Sequence, residues 1–415
     1  MDLARFRAGP LPDTVLPEYA GLGIANVTPT IERHFGLHTP TAPLADSVLP
    51  PQMLEGVHKV VMLVVDALGL SQLQRALERG HAPYIAEIMQ RDTAHLAALT
   101  STFPSTTVCA LTTFGTGLPP AQHGVTSQTI YDLMLGTTVD ILRFAPTVAG
   151  RGLDTVGVDA GEWLGLPTTF EKLGPRGVAP VVVNHSQFEG TSLSRINHRG
   201  ARYHGFATIS DLCVNLRAAI EGNAARAYIH SYWGTLDTVT HLYGTHSPQH
   251  DAEIRVIDHA LGEILLRGLR APGTLLLLLA DHGHLNSDPD HMLWLNDHPR
   301  LLECLQSPPA GLDRASVLYV RPGAEEAARA YADEFLSEYA LVLTAAESVK
   351  MGLYGVDPLS AKARQRIGQL LLLARENWVL KYNNPGRDRR YTVIGKHGGL
   401  STEEMLVPLL SLRLD

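Results

Sequence analysis

The sequence predicts an α/β fold in which a doubly wound, mostly parallel sheet is flanked by helices. Continuous apolar runs end in polar residues, and helix-like segments separate these runs. Such runs are typical of strands that helices cover on both faces, and their alternation with helices indicates a parallel sheet. The chain has 415 residues with 45% hydrophobic content, which is enough for a large buried core.

The predicted elements of this sheet begin at residue 58. The run HKVVMLVVD (58–66) predicts the first strand, and LSQLQRALERG predicts the helix that follows it. Further strands are predicted at 178–184, 226–233 and 274–281, with helices at 211–221 and 250–270. The closing run EMLVPLLSLRL predicts the last strand of the core.

Three regions follow from this pattern. Residues 1–55 are rich in proline and are predicted to form an N-terminal extension packed on the core, with one amphipathic piece at 28–37. Residues 56–304 and 393–415 form the predicted catalytic α/β core. Residues 305–392 break the alternation with a PPAG turn, helical patterns near 323–339 and 359–377, and the polar stretch NNPGRDRR. They are predicted to form a smaller inserted subdomain.

Composition excludes several classes of function. The formal net charge is −8 and no long basic run occurs, which argues against stable nucleic-acid binding. No apolar stretch reaches the roughly 18 residues that a membrane helix needs, and the start of the chain lacks a signal-peptide core. Three cysteines, Cys109, Cys213 and Cys304, fit neither a disulfide framework nor a CxxC metal site. A cytoplasmic protein without membrane contact is therefore expected, and its oligomeric state stays open.

The candidate functional residues stand where predicted strands end. Ligands of open α/β sheets bind at the carboxyl ends of the strands. These ends, with the return from the insertion, carry three carboxylates, three imidazoles and one hydroxyl: Asp66, Asp237, Asp281, His241, His282, His397 and Thr102. Zinc takes imidazole and carboxylate ligands, about four per ion, and two ions about 4 Å apart can act on one phosphoryl group. The set predicts a two-metal site for phosphoryl transfer.

Each residue taken alone has an ordinary interpretation, such as a helix cap or a solvated ion pair. The joint arrangement at strand ends favours a site, and charge supports it. No Lys or Arg occurs between Arg91 and Arg143, within 227–254 or within 271–299. A phosphate bound there needs metal to supply positive charge. Two divalent ions exceed the three carboxylates by one positive charge, which stabilises an alkoxide of Thr102.

Together these segments resemble the alkaline phosphatase superfamily and, within it, the nucleotide pyrophosphatase/phosphodiesterase branch. The motifs are VVDALG, TFPSTT followed by GTGLPPAQHGV, the spacing Asp237-x-x-x-His241, ADHG and KHGGLSTEEMLVPLL. The resemblance implies two divalent metal ions. The histidine content favours zinc, and manganese is the alternative. One set of implied ligands is Asp237, His241 and His397. The other is Asp66, Asp281 and His282, joined by Thr102 as both ligand and nucleophile.

The resemblance also implies substrate-binding residues. Phe103 and Tyr232 match aromatic residues that hold a base or leaving group in that branch, although both are explained equally well as core aromatics. Gln128 stands near the position of an asparagine that donates to the phosphoryl oxygen. Two departures concern Ser105, which replaces an asparagine, and the loop before AQHGV, which is longer than in the family. His284, like His123, matches no ligand position and is interpreted as structural or supporting.

The implied activity is hydrolysis of a phosphodiester or nucleotide pyrophosphate bond through a threonyl-phosphate intermediate, with a small-molecule phosphoester or nucleotide as substrate. The lack of cations near Thr102 favours diesters, because monoesters carry one more negative charge. Cations in the insertion would serve a monoesterase: Lys381, Arg387, Arg389 and Arg390. Alternatives are a phosphomonoesterase, a phosphonate hydrolase, a phosphosugar mutase of the same superfamily and a non-catalytic interaction module. The last is disfavoured because all six implied ligands are present.

Overall fold

A computed structural model describes residues 3–148, 150–356, 358–384 and 394–415. Its centre is a seven-stranded sheet that is mostly parallel, which confirms the predicted fold class. The strands, in spatial order, are Ala94–Thr100, Leu406–Arg413, Thr274–Leu279, Lys59–Val65, Ala227–Trp233, Ala179–His185 and Arg202–Phe206. Leu406–Arg413 runs antiparallel to both of its neighbours, Ala94–Thr100 and Thr274–Leu279, and the other pairs of this sheet are parallel.

The two middle strands of the sheet are buried along their whole length. Every residue of Lys59–Val65 and of Thr274–Leu279 is buried, and these two strands pair in parallel. Helices cover both faces, so the side chains on each face pack against apolar helix surfaces. This explains why both strands read as unbroken apolar runs rather than as alternating patterns.

The helices mostly match the sequence predictions, with boundaries shifted by a few residues. The predicted helix at 250–270 is the α-helix Pro248–His259, which continues as a π-helix, Ala260–Leu266. The α-helices are Val27–His34, Leu70–Glu78, Pro83–Ile88, Thr107–Thr116, Pro120–His123, Ala160–Leu164, Thr169–Leu173, Ser192–Asn197, Ile209–Glu221, Thr235–Tyr243, Pro248–His259, Pro299–Glu303, Glu325–Phe335, Ala345–Lys350, Ala361–Arg366 and Thr402–Met405.

A second sheet shares no strand with the first. It is antiparallel, has seven strands and joins two distant stretches, because Gly311 pairs with Thr129. In spatial order the strands are Ala340–Thr344, Leu370–Ala374, Ala315–Leu318, Ala310–Leu312, Thr129–Asp132, Thr137–Asp140 and Ala145–Pro146. The strands of this sheet come both from the predicted insertion and from the stretch after the helix Thr107–Thr116. The division of the chain into domains stays a prediction.

One predicted element inside the insertion is corrected by the structure. The sequence predicts a helix near 359–377, but the helix ends at Arg366 and residues Leu370–Ala374 form a strand. All five of its residues are buried, and it pairs on both sides with other strands of the second sheet. A short run of leucines suits a buried helix or a buried strand equally well, and here tertiary pairing selects the strand.

The N-terminal stretch packs against the central sheet. Its helix Val27–His34 contributes Val27 and Ile31 to the main apolar core. Gly23 forms an isolated parallel bridge with Thr100, at the end of the edge strand Ala94–Thr100. Among the described residues, no helix combines the length and apolar character required to span a bilayer.

Two further ladders, of two short strands each, belong to neither large sheet. Leu285–Asn286 pairs antiparallel with Gly395–Lys396, and Met292–Trp294 pairs in parallel with Val379–Lys381. The first ladder lies directly before His397. The position of His397 is therefore set by the backbone pairing of the residues before it, and not by a free loop.

Candidate metal centre and active site

The fold brings the six predicted ligands to one edge of the central sheet. Asp66 directly follows the strand Lys59–Val65, and Asp281 follows the neighbouring strand Thr274–Leu279. Asp237 and His241 lie four positions apart on the helix Thr235–Tyr243, which puts them on one helix face. The carboxyl ends of parallel strands thus meet the start of an adjacent helix.

The first group of ligand atoms surrounds His282. Its Nε2 lies 3.4 Å from Asp66 Oδ1 and 3.5 Å from Asp281 Oδ2. These separations are long for hydrogen bonds. They match the spacing of ligand atoms around tetrahedral zinc, because bonds of about 2.0–2.1 Å hold two ligands roughly 3.4 Å apart.

The second group surrounds Asp237. Its Oδ1 lies 3.4 Å from His241 Nε2 and 4.0 Å from His397 Nε2. His284 approaches closer, with Nε2 at 2.8 Å from the same oxygen. One ligand atom from each of these four residues lies within 4.8 Å of the others, and Asp66, Asp237 and His282 form a second such set. The groups therefore share Asp237.

The three predicted imidazole ligands are oriented in the same way. In each, Nδ1 faces a backbone carbonyl, so Nδ1 carries the proton and the Nε2 lone pair points into the site. The pairs are His241 with Gly395 at 2.8 Å, His397 with Ser105 at 2.8 Å and His282 with Gly283 at 3.1 Å. This arrangement is the usual support of metal-binding histidines.

The electrostatics of the site favour a bound cation. Burial raises the pKa of Asp66 well above its usual value, and the charges of Asp281 and Asp237 raise it further. Burial also lowers the pKa of His397, which keeps that imidazole neutral. Within the described part of the chain, the buried atoms Asp66 Oδ1 and Asp281 Oδ2 have no hydrogen-bond partner. Buried carboxylate oxygens without partners are costly, and divalent cations would satisfy them.

The hydroxyl beside these ligands belongs to Thr107, not to Thr102. Thr107 is half-buried, and its Oγ1 lies 3.4 Å from Asp66 Oδ2 and 3.2 Å from His282 Nε2. Thr102 is fully buried, and its Oγ1 faces Pro104 O at 3.4 Å. Thr107 begins the helix Thr107–Thr116, and that helix start carries it to the site. The structure therefore puts Thr107 where the sequence motif predicts Thr102.

The segment around Thr102 supports the ligand loops instead. Ser101 Oγ donates to Asp281 O at 2.5 Å. Ser105 Oγ donates to Gly399 O at 2.9 Å and accepts from Gly398 N at 3.1 Å. The residues before the helix thus hold the loops that carry Asp281 and His397.

Two residues near the predicted ligands, Thr107 and His284, are not among the ligands or the nucleophile that the sequence predicts. A signal for Thr107 was present, because counting from it shortens the loop before AQHGV by five residues, and this loop looked too long when counted from Thr102. His284 was interpreted as supporting, and its contact with Asp237 agrees with such a role. No pattern in the sequence indicated that it would join the Asp237 group.

Two clefts open beside the predicted ligands. The lysine cleft, about 670 Å³, is lined by residues that include His241, His397, Gln128, Arg143, Asp313, Lys381 and Lys396. The amide cleft, about 530 Å³, is lined by residues that include Asp66, Thr107, Asn184, Gln187, Phe188, Asn197, Tyr232 and Asp237. Both clefts reach the Asp237 helix, so the ligands lie between them.

The predicted substrate-binding residues have different surroundings. Gln128 lines the lysine cleft, and Tyr232 lines the amide cleft, where its hydroxyl donates to Asp66 Oδ2. Phe103 is fully buried against the ring of Tyr354, with ring centroids 5.6 Å apart, and lines neither cleft. Of the cations named in the insertion, Lys381 lines the lysine cleft, and the others, Arg387, Arg389 and Arg390, lie outside the described residues.

Known proteins share sequence or fold with this chain. Residues 60–400 match the family of type I phosphodiesterases / nucleotide pyrophosphatases. An uncharacterized pyrophosphatase/phosphodiesterase of Schizosaccharomyces pombe is 24% identical over 232 residues, which cover 53% of this chain and 44% of that protein. The chain thus spans less than half the length of this relative.

Solved structures with the same fold include murine ectonucleotide pyrophosphatase/phosphodiesterase 5, at 16% identity and a TM-score of 0.64, covering 85% of this chain and 87% of that one. An inactive threonine-to-alanine variant of it, solved with AMP, matches equally well. Phosphonoacetate hydrolase from Sinorhizobium meliloti, solved with phosphonoformate, has 20% identity and a TM-score of 0.62, covering 85% and 89% of the two chains.

The fold and the converging ligands define an alkaline phosphatase-like protein of the α/β class. Within that superfamily, the chain belongs to the type I phosphodiesterase / nucleotide pyrophosphatase family.

Proposed function

We propose that this protein hydrolyses phosphodiester or nucleotide pyrophosphate bonds with the help of two divalent ions, zinc before manganese. The observation that carries the proposal is the convergence of three carboxylates, three uniformly oriented imidazoles and one hydroxyl at a strand-end site. Family membership adds support. One ion would be held by Asp237, His241 and His397, and the other by Asp66, Asp281 and His282.

In this proposal Thr107, rather than Thr102, is the nucleophile. Its Oγ1 is within 3.4 Å of two proposed ligands, Asp66 and His282. It also stands at the first position of a ten-residue helix. The amide groups and dipole of a helix N-terminus favour negative charge, both on a threonine alkoxide and on the phosphoryl oxygens. The solved inactive relative with a threonine-to-alanine change is consistent with a threonine in this role.

The residues of the chain then have distinct tasks. The bound ions would supply the positive charge that the site otherwise lacks. Thr107 Oγ1 attacks phosphorus, a covalent phosphothreonine forms, and water cleaves it in a second step. Tyr232 fixes the carboxylate of Asp66 through its hydroxyl, and His284 fixes that of Asp237. Gln128 lines the lysine cleft, from which its amide would donate to a phosphoryl oxygen.

A substrate panel tests this function. We expect the purified protein with added Zn²⁺ or Mn²⁺ to hydrolyse p-nitrophenyl thymidine 5′-phosphate and bis-p-nitrophenyl phosphate faster than p-nitrophenyl phosphate. The diester preference follows because the cleft that Thr107 lines has no Lys or Arg among its described lining residues, whereas Lys381 and Lys396 line the other cleft. Equal rates on monoester and diester would remove the diester assignment. Phosphosugar interconversion without release of phosphate would instead indicate a mutase.

Removal of metal is expected to abolish turnover and to lower thermal stability. Without cations, Asp66 and Asp281 keep buried oxygens that lack partners within the described residues, and a ligand present at a thousand times its dissociation constant stabilises by about 4 kcal/mol. Elemental analysis before and after chelation, with calorimetry on the same samples, measures both effects.

The control for this prediction is Asp237→Asn, which removes the carboxylate that the two groups share. This variant is expected to bind less metal, and chelation should lower its melting temperature less than that of the wild type. A wild-type protein that takes up no added metal and keeps its melting temperature under chelation would contradict the two-ion proposal.

A further inference from the structure

The two clefts beside the proposed ligands differ in charge. The lysine cleft is lined by three cationic side chains, Arg143, Lys381 and Lys396, and by a single carboxylate, Asp313. The amide cleft has no Lys or Arg among its described lining residues. Its polar lining consists mostly of amide, imidazole and hydroxyl groups, beside Asp66 and Asp237. A substrate with one charged end and one uncharged end would therefore bind in a single direction.

The excess positive charge of the lysine cleft is built into its wall. The Nζ atoms of Lys381 and Lys396 each lie 2.6 Å from the same oxygen, Asp313 Oδ2. Two ammonium groups against one carboxylate leave one positive charge without an opposite charge in this group. Arg143 is more exposed and reaches Asp140 at 3.8 Å, so the uncompensated charge lies mainly at the lysines.

This charge is also partly withdrawn from water. The side chain of Lys396 is 6% exposed and that of Lys381 is 16% exposed. A buried cation without a full counter-charge is unfavourable until an anion meets it. An oxyanion entering the cleft would accept hydrogen bonds from both ammonium groups, and bonds between charged groups are the stronger ones.

Both lysines lie at the ends of short paired strands. Lys396 ends the short strand Gly395–Lys396 and directly precedes His397, with consecutive Cα atoms about 3.8 Å apart. Lys381 ends the strand Val379–Lys381. Since the backbone at both positions is paired, neither lysine lies on a free loop, and both line the cleft that His397 also lines.

We propose that the lysine cleft is an anion subsite, in which Lys381 and Lys396 bind a second oxyanion that the substrate carries on its leaving group. The amide cleft then takes the uncharged organic part on the other side of the scissile phosphoryl group. This inference rests on the proposed function and narrows its substrate class. The oxyanion is a phosphate, as in the pyrophosphate released from a nucleoside triphosphate, or a carboxylate.

The chemistry of the step is unchanged by this subsite. The bond from Thr107 Oγ1 to phosphorus forms, and the bond from phosphorus to the leaving group breaks. The leaving group keeps that electron pair, and the hydroxyl proton of Thr107 passes to solvent. The lysines contact only the remote oxyanion, so they raise affinity for the charged leaving group without entering the reaction.

The test uses two substrates that share a nucleoside and differ in the leaving group. Thymidine 5′-triphosphate releases anionic pyrophosphate, whereas p-nitrophenyl thymidine 5′-phosphate releases p-nitrophenolate, which lacks a second oxyanion. In Lys381→Ala we expect kcat/KM for the triphosphate to fall about tenfold, mostly through KM, as for loss of one charge-assisted hydrogen bond. For the p-nitrophenyl ester the change should stay within about twofold.

Two further variants separate binding from structure. Lys381→Arg keeps the charge and should restore most of the triphosphate activity. Lys350→Ala removes an exposed lysine of the same region that lines neither cleft. This variant should leave kcat/KM unchanged for both substrates. A third substrate, phosphonoacetate, distinguishes the two oxyanions: a loss confined to the triphosphate indicates phosphate, and a loss confined to phosphonoacetate indicates carboxylate.

The inference is overturned if Lys381→Ala changes kcat/KM by the same factor for all three substrates while the wild type is active on them. If the wild type hydrolysed none of the three substrates, the proposed function would fail. A direct binding measurement would then test the anion subsite by itself. Inorganic pyrophosphate is titrated calorimetrically into the purified wild type and into Lys381→Ala. Weaker binding by the variant supports the anion subsite, and identical binding refutes it.

Discussion

Thr107→Ala is expected to lower kcat by at least about a thousandfold on every phosphoester that the wild type hydrolyses. Removal of a nucleophile commonly costs this much or more, because the remaining groups bind substrate but form no covalent intermediate. The hydroxyl of Thr107 lies 3.4 Å from Asp66 Oδ2 and 3.2 Å from His282 Nε2. Stopped-flow and steady-state assays measure the loss, and mass spectrometry of a quenched wild-type reaction should locate a phosphate on Thr107.

The matched control is Thr102→Val, which deletes the other candidate hydroxyl at nearly constant volume. Thr102 Oγ1 makes one long contact, 3.4 Å to Pro104 O, so its loss is expected to cost no more than about 1 kcal/mol of stability. Its kcat should remain within about threefold of the wild type. A variant pair with the opposite pattern, inactive at Thr102 and active at Thr107, would return the nucleophile to Thr102.

The second large effect is expected at Arg314, which joins the second sheet to the central one. Its guanidinium forms two contacts with Glu404, from Nε to Oε1 at 3.3 Å and from Nη2 to Oε2 at 3.2 Å. Both side chains are buried, with exposures of 2% and 0%. Arg314→Met leaves the carboxylate of Glu404 buried without its counter-charge, which typically costs 3–5 kcal/mol. Urea unfolding measures this change in free energy.

This substitution should also reduce kcat, and not only stability. Glu404 Oε1 accepts from Gly399 N at 2.7 Å, and Gly399 lies two residues after His397. Arg329→Met is the control, because Arg329 pairs with Asp333 and Glu347 at a more exposed position and should cost less than about 1 kcal/mol. Equal losses in the two variants would show that the Arg314 pair has no special structural role.

The central sheet could be predicted because its strands carry their own signal. Residues 60–65 and 275–280 are apolar at every position, and they make up most of the buried strands Lys59–Val65 and Thr274–Leu279. Asp66 and Asp281 follow these runs, so their meeting at one sheet edge follows from the parallel fold. The spacing of Asp237 and His241 likewise predicts one helix face.

The second sheet could not be predicted in this way. Its pairing of Gly311 with Thr129 joins stretches more than 180 residues apart, and its short strands have no period that distinguishes them from helix. For this reason the sequence predicts a helix where Leu370–Ala374 forms a strand. Lys381 could be named as a possible cation of the site, but its partnership with Lys396 through Asp313 depends on the same long-range contacts.

Sequence alone determined the fold class, the family and the six carboxylate and imidazole side chains that meet at the strand ends, because these depend on local apolar runs and on motifs that stand next to them. Tertiary structure decided which threonine meets the carboxylates. Thr102 and Thr107 are five residues apart in one motif, and only the start of the helix Thr107–Thr116 turns one hydroxyl toward Asp66 and leaves the other in the core. Tertiary structure also decided where Lys381 and Lys396 lie, because they and Asp313 become neighbours only when the chain packs.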